Sequence, residues 1–261
     1  MTELNPTGLD AYRPSEIAEL VEAAGIAKAR LPLIRMMTLS VLAGAFIALG
    51  AVAYTMAMTG VDPGFGPARF FGGVVFSLGL ILVIVAGAEL FTGNALMVMA
   101  AVDGRISFAE LVKNWVVVYF GNFAGALAMA LTVAFSGILD GPMGETAARI
   151  AEAKANLAWG DAFVRGILCN MLVCLAVWLT LAARDVAGKI LAIVWPIATF
   201  VALGFEHSIA NMYLIPQGVF AGASLGAESF AVNLLVVTAG NIVGGAGGVA
   251  LIYRLAYGAG R

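Results

Sequence analysis

Two long apolar stretches of this chain each carry, near mid-length, a glutamate followed five positions later by an asparagine: Glu89 and Asn94 in A-G-A-E-L-F-T-G-N, Glu206 and Asn211 in G-F-E-H-S-I-A-N-M. An ionisable group at the centre of a membrane-length segment costs roughly 2.5–3.5 kcal/mol on insertion scales, so such residues mark pathways and relays by default. The duplicated pattern constrains the fold further. Irregular backbone at membrane depth survives only where protein or a water-filled cavity satisfies its polar groups. Broken helices near the midplane are where transporters build their sites.

The rest of the chain supports a membrane reading. Hydrophobic residues make up 62% of the 261, charged residues 11%, and mean hydropathy is +0.98, far from the usual soluble composition. With roughly 20 residues needed per crossing, spans are expected near 36–59, 68–102, 108–138, 160–183, 187–218 and 229–257. The second and fifth are expected as paired half-helices, with linkers around 89–93 and at E-H-S. The fold class is therefore all-α integral membrane: six transmembrane helices, the second and fifth broken. The expected organisation is an amphipathic, cytoplasmic amino-terminal segment at 1–35, one six-span channel domain at 36–257, and a tail at 258–261. The segment lacks the apolar core of a cleavable signal peptide, so it is expected to stay on the mature protein. Pro14, early glutamates and late Lys28 and Arg30 suit a helix there, with Ile17, Leu20, Val21 and Ala24 on one face. Such a helix lies on the membrane surface or against the bundle.

Counting Lys and Arg by side places Arg13, Lys28, Arg30, Arg35, Arg105, Lys113, Arg184, Lys189, Arg254 and Arg261 together, and only Arg69, Arg149, Lys154 and Arg165 opposite. The positive-inside rule then puts both termini in the cytoplasm, with the chain in a plasma (bacterial-type inner) membrane. The halves repeat: Glu89 and Glu206 lie 117 positions apart, and G-N-F-A-G at 121–125 and G-N-I-V-G at 240–244 lie 119 apart. Three spans per copy, about 36–138 and 160–257, force the copies to run in opposite directions. Gly240, Gly244 and Gly248 allow close helix contact. Cys169 and Cys174 offer neither a disulfide framework nor a metal-ligand spacing, and no cofactor motif is present, so no cofactor, metal or nucleic-acid partner is expected.

A-G-A-E-L-F-T-G-N, G-F-E-H-S-I-A-N-M-Y-L-I-P, L-C-N-M-L-V-C-L-A-V-W and G-N-I-V-G-G, in this order along nearly the whole chain, resemble the signature segments of the formate/nitrite transporter family. The resemblance implies an aquaporin-like fold of two inverted three-helix repeats, assembled as a homopentamer with a pore in each protomer.

His207 is the sole histidine and stands beside Glu206 at the second break. A neutral imidazole both donates and accepts, and its unperturbed pKa of about 6.5 permits proton exchange; the resemblance makes it the central pore residue. Thr92 either caps the following half-helix or faces the pore opposite His207, as the resemblance implies. The resemblance also brings Asn170 and Asn241 near the conduit, where helix-to-helix hydrogen bonding is the alternative. It matches Lys154, otherwise a solvated charge, to a vestibule lysine that draws anions in. The family's constrictions map to Phe76, Leu80, Leu90, Phe91 and Phe200, all of which read otherwise as core. Glu89 and Glu206 are expected to support the linkers by accepting from their loose backbone amides.

A bare anion squeezed between Leu and Phe side chains loses hydration worth on the order of tens of kcal/mol. Protonating a carboxylate three units above its pKa costs only about 4 kcal/mol. The expected cargo is thus a small monovalent weak acid, formate or nitrite first and hydrosulfide, acetate or lactate as alternatives, crossing as the neutral acid or with a proton. A neutral-solute channel is a rival. A membrane enzyme is disfavoured because no Ser-His-acid spacing or second histidine exists.

Overall fold

The computed structural model describes residues 11–258, which are helical apart from connections and one isolated pairing of Ala11 with Ala183. The expectations that rest on residues 1–10 and 259–261 lie outside the described residues. Ten helices follow in order: α1 (Pro14–Ala29), α2 (Leu33–Ala57), α3 (Gly66–Gly87), α4 (Gly93–Val102), α5 (Phe108–Phe135), α6 (Pro142–Ala155), α7 (Trp159–Ala182), α8 (Val186–Ala202), α9 (Ser208–Phe220) and α10 (Ala227–Tyr257). Five of them, α2, α3, α5, α7 and α10, are long and apolar enough to cross a membrane; α4 and α8 are shorter and apolar.

Local signals explain the boundaries. α1 and α6 start at Pro14 and Pro142, where the missing N–H would be unsatisfied anyway. Ser107 and Glu110 exchange side-chain and backbone hydrogen bonds to cap α5, a capping box. Asp185 accepts from the Gly188 N–H at the head of α8.

The two breaks share one geometry. α3 ends at Gly87 with φ +89°, and α8 is followed by Gly204 with φ +70°, a region that favours glycine. The next amides turn back on their helices, Ala88 N–H to Val83 O at 2.9 Å and Phe205 N–H to Phe200 O at 3.0 Å. These turns satisfy carbonyls that a helix end leaves open. Both breaks therefore open earlier than expected from polarity: residues 88–92 in the first and 203–207 in the second, because glycine rather than the glutamate stops the helix. Gly87 and Gly204 stand 117 apart, the spacing of the glutamates.

Packing follows the same duplication. α2 lies along α5, and α7 lies along α10. A Cβ on Gly121 or Gly125 would strike Ser40 or the Val41 carbonyl of α2; on Gly240 or Gly244 it would strike the Phe163 or Ile167 carbonyl of α7. Small residues here let the backbones touch. α3 and α8 pack on one another across the two halves. α9 is buried from Ser208 to Gly218 and sits against α2, α5, α6 and α10. α1 packs on the bundle through Ile17, Ala18 and Val21, which join Leu96, Met99 and Trp178 in one apolar cluster. Leu20 and Ala24 are only half-buried, so the buried face of α1 is rotated toward Ala18 and Gly25. The helix α6, between the third and fourth expected spans, is a feature that hydropathy did not reveal.

Candidate functional site

Each break is tied down by one lysine, one glutamate and three asparagines. In the first, Lys28 Nζ lies 2.7 Å from Glu89 Oε1, while Asn94 Nδ2 donates to Glu89 Oε2 (2.8 Å) and to Asn114 Oδ1 (2.9 Å). In the second, Lys154 Nζ lies 2.9 Å from Glu206 Oε1, while Asn211 Nδ2 donates to Glu206 Oε2 (2.7 Å) and to Asn233 Oδ1 (2.8 Å). Asn114 and Asn233 in turn donate to the carbonyls of Lys28 and Lys154. Every buried carboxylate oxygen thus meets a donor, the condition for keeping a charge away from water.

The linker backbone is held by a different pair. Asn122 Oδ1 accepts from the Phe91 N–H, and its Nδ2 donates to the carbonyls of Ser40 and Glu89. Asn241 Oδ1 accepts from the Ser208 N–H, and its Nδ2 donates to Gly166 O and Glu206 O. Two expectations change accordingly. The carboxylates of Glu89 and Glu206 bind Lys and Asn side chains rather than linker amides, because an amide side chain can serve a backbone donor and acceptor together. Asn241, read as a pathway residue, has both amide atoms committed to bracing the second break.

His207 is buried at the head of α9, its Nδ1 accepting from the Ala210 N–H at 3.1 Å. That bond assigns the tautomer: with Nδ1 an acceptor, the neutral ring carries its hydrogen on Nε2. Nε2 lies 2.9 Å from Thr92 Oγ1, so the ring donates to the threonine hydroxyl. Thr92 makes no side-chain cap bond to α4, and its own O–H proton stays available. The histidine, not the threonine, is the side chain that caps a half-helix. Asn170 Nδ2 donates to Thr92 O (3.2 Å) and Asn241 O (2.6 Å), tying the first break to α10. Asn170 Oδ1 and Ser208 Oγ are buried with no partner among the described residues.

A cavity of about 410 Å³ reaches this centre, with Phe76, Phe200 and His207 in its lining. The Phe76 and Phe200 rings meet edge to face at 5.8 Å, and Phe200 stacks on the His207 ring at 5.9 Å. Lys154, 17% exposed along its side chain, lines the same cavity with Glu206. Leu80, Leu90 and Phe91 are buried and do not line it; Phe91 packs against Tyr119 and Trp115. The structure therefore gathers His207, Lys154, Phe76 and Phe200 on one cavity and sets Thr92 against the histidine. Lys28, Asn114, Asn122 and Asn233 were missed from the sequence. Their signal is the repeat itself, since Asn114 and Asn233, like Asn122 and Asn241, lie 119 apart, and Lys28 and Lys154 lie 126 apart.

The site is built where two helices of an apolar bundle are interrupted, the arrangement of a membrane transport protein. Residues 15–255 match the formate/nitrite transporter family. The formate channel FocA of Escherichia coli (strain K12) is 40% identical over 271 residues, covering 95% of each chain. A solved "FNT family ion channel" superposes with a TM-score of 0.87 at 31% identity, over 93% of this chain and 99% of that one. A solved "Pentameric formate channel with formate bound" gives a TM-score of 0.79 at 39% identity, over 86% of this chain and 97% of that one. The chain belongs to the formate/nitrite transporter family and is an integral membrane protein.

Proposed function

We propose that this chain is a six-span channel for small monovalent weak-acid anions, formate or nitrite first, and that cargo crosses as the neutral acid or together with a proton. The observation that carries the reading is the Nε2–H of His207 on the Thr92 hydroxyl, at a cavity lined by Lys154 and three arginines and, beside the histidine, by Phe76 and Phe200. An anion attracted past Lys154 loses water as it nears the rings, where its charged form becomes costly. Accepting a proton from vestibule water, or through the His207 ring, removes that cost. Beyond the cavity lining, Thr92 O–H and the buried Asn170 Oδ1 and Ser208 Oγ then offer hydrogen bonds to cargo that has been stripped of water.

Under this reading the spans are α2, α3 with α4, α5, α7, α8 with α9, and α10. They form two inverted repeats in an aquaporin-like arrangement, with both termini cytoplasmic. The duplicated lysine–glutamate–asparagine sets support the repeat. The pentameric relative supports a homopentamer with a pore in each protomer. Leu80, Leu90 and Phe91 would form the constriction on the far side of His207.

Formate flux into proteoliposomes, measured with and without an inward proton gradient, tests the reading. Acceleration by the gradient and loss of most flux in His207→Ala are expected. Flux indifferent to both overturns proton-linked passage, and swelling in glycerol without formate flux would instead identify a neutral-solute pore.

A further inference from the structure

Four cations line the outer cavity, Arg69, Arg149, Lys154 and Arg165, against a single carboxylate, Glu206, which Lys154 already occupies. Among the described residues none of the three arginines has an acidic partner within ion-pair distance; Arg149 donates to Thr146 Oγ1 and Arg165 to Gly204 O. Arg69 comes from α3 and Arg165 from α7, yet both side chains reach over Gly204. The position a Cβ would take there lies 3.2 Å from Arg69 Nη2 and 3.8 Å from Arg165 Nη1. Both arginines are half-buried, and Arg149 is exposed at the rim.

The two halves differ at these positions. The 126-residue spacing that relates Lys28 to Lys154 and the carbonyl of Leu39 to that of Arg165 sets Ala23 against Arg149 and Leu39 against Arg165. The lysine is duplicated and the arginines are not. Like charges held together without counterions raise each other's free energy. A concave wall of one sign also focuses field and concentrates counter-ions.

We infer that Arg69 and Arg165 form a receiving subsite for a small planar monovalent oxyanion, a carboxylate or nitrite, outside Lys154 and at this mouth only. The guanidinium fork matches two anionic oxygens, which an ammonium cannot do. Arg149 supplies field at the rim, and Lys154 passes the anion inward toward Phe76 and Phe200. This inference rests on the transport reading above and adds a directional capture step to it.

The test compares the wild-type chain, R69Q/R165Q and R69K/R165K in vesicles of defined orientation. In R69Q/R165Q the half-saturating formate concentration for movement inward through this mouth is expected to rise by about tenfold, within the range set by electrostatic steering. Its dependence on added salt should flatten, while maximal flux and half-saturation from the opposite mouth stay unchanged. The lysine pair should keep the salt dependence and recover only part of the affinity. An unchanged half-saturation, or an equal rise from both mouths, overturns the subsite. Line broadening of 13C-formate by the detergent-solubilised protein reads binding without transport. Broadening that is lost in R69Q/R165Q supports the subsite even in a chain that passes no formate, and equal broadening in both proteins overturns it.

Discussion

Lys154 and Glu206 show how one residue pair serves two purposes. A lysine at the edge of a largely apolar cavity would leave for water unless something held it, and a buried glutamate is costly unless something compensates its charge. Each resolves the other, and Asn211 fills the second carboxylate oxygen. Removing one partner of a buried ion pair typically costs about 3–5 kcal/mol, much of it from the charge left behind. Glu206→Ala and Glu89→Ala should each lower the thermal midpoint of the purified protein, with Lys154→Met/Glu206→Ala milder than the sum of its single changes. A double-mutant cycle on unfolding reads this directly, and strict additivity would show that the ion pair is not coupled. From the sequence, the importance of Glu206 was plain, because a carboxylate inside an apolar run is costly wherever it points. Its partner was not. Lys154 lies 52 residues away, in a helix with no hydrophobic signal, and only folding of α6 onto α9 brings Nζ to Oε1.

At the scale of elements, the tight α7–α10 contact depends on glycines that meet backbone and tolerates change where they meet only flexible side chains. A Cβ at Gly244 would overlap the Ile167 carbonyl, whereas one at Gly248 would meet the Met171 side chain at 3.1 Å, and one at Gly247 meets nothing within 4 Å. Gly244→Ala is therefore expected to destabilise by about 1–3 kcal/mol or more through forced separation of the helices. Gly248→Ala and Gly247→Ala should stay close to wild type in thermal stability and in yield of assembled protein. Equal loss in all three would mean that the glycines matter for something other than contact. The four-residue glycine spacing was legible as a contact stripe. Which member bears on backbone was not, because that depends on the slow rotation of a helix with π-type turns from Val243 to Leu251. The half-helices were legible for a similar reason. Polarity located both breaks to within a few residues, and the glycines that end α3 and α8 moved their starts.

The whole molecule combines a near-duplicate frame with an asymmetric centre. Matching braces hold both breaks, yet the position of His207 in the second half is filled by Leu90 in the first, at the common spacing of 117. A near-duplicate frame can thus carry one polar stage beside apolar side chains, and under the proposed function those side chains set what crosses. Phe76 and Phe200 line the cavity beside the histidine, their rings in edge-to-face contact. Replacing both by alanine should raise swelling rates in neutral solutes severalfold and weaken the dependence of formate flux on the proton gradient, since a wetter passage lowers the cost of charge. Stopped-flow light scattering on proteoliposomes measures both; unchanged selectivity would move the barrier to the Leu80, Leu90 and Phe91 side.

Hydrophobic patterning by itself determined that this chain is a bundle of membrane helices with helical structure interrupted at two places. That pattern is local and energetically dominant, and an unpaired backbone or a stray carboxylate in hydrocarbon has few places to go. The repeat spacing, too, was written in the order of residues. Only the tertiary structure decided which amide atom braces a linker, that Asn241 is committed to that task, that Nε2 of His207 meets Thr92, and that arginines from α3 and α7 converge over Gly204. Those are contacts between residues far apart in the chain. Their geometry depends on helix rotation and linker direction, which no periodicity records.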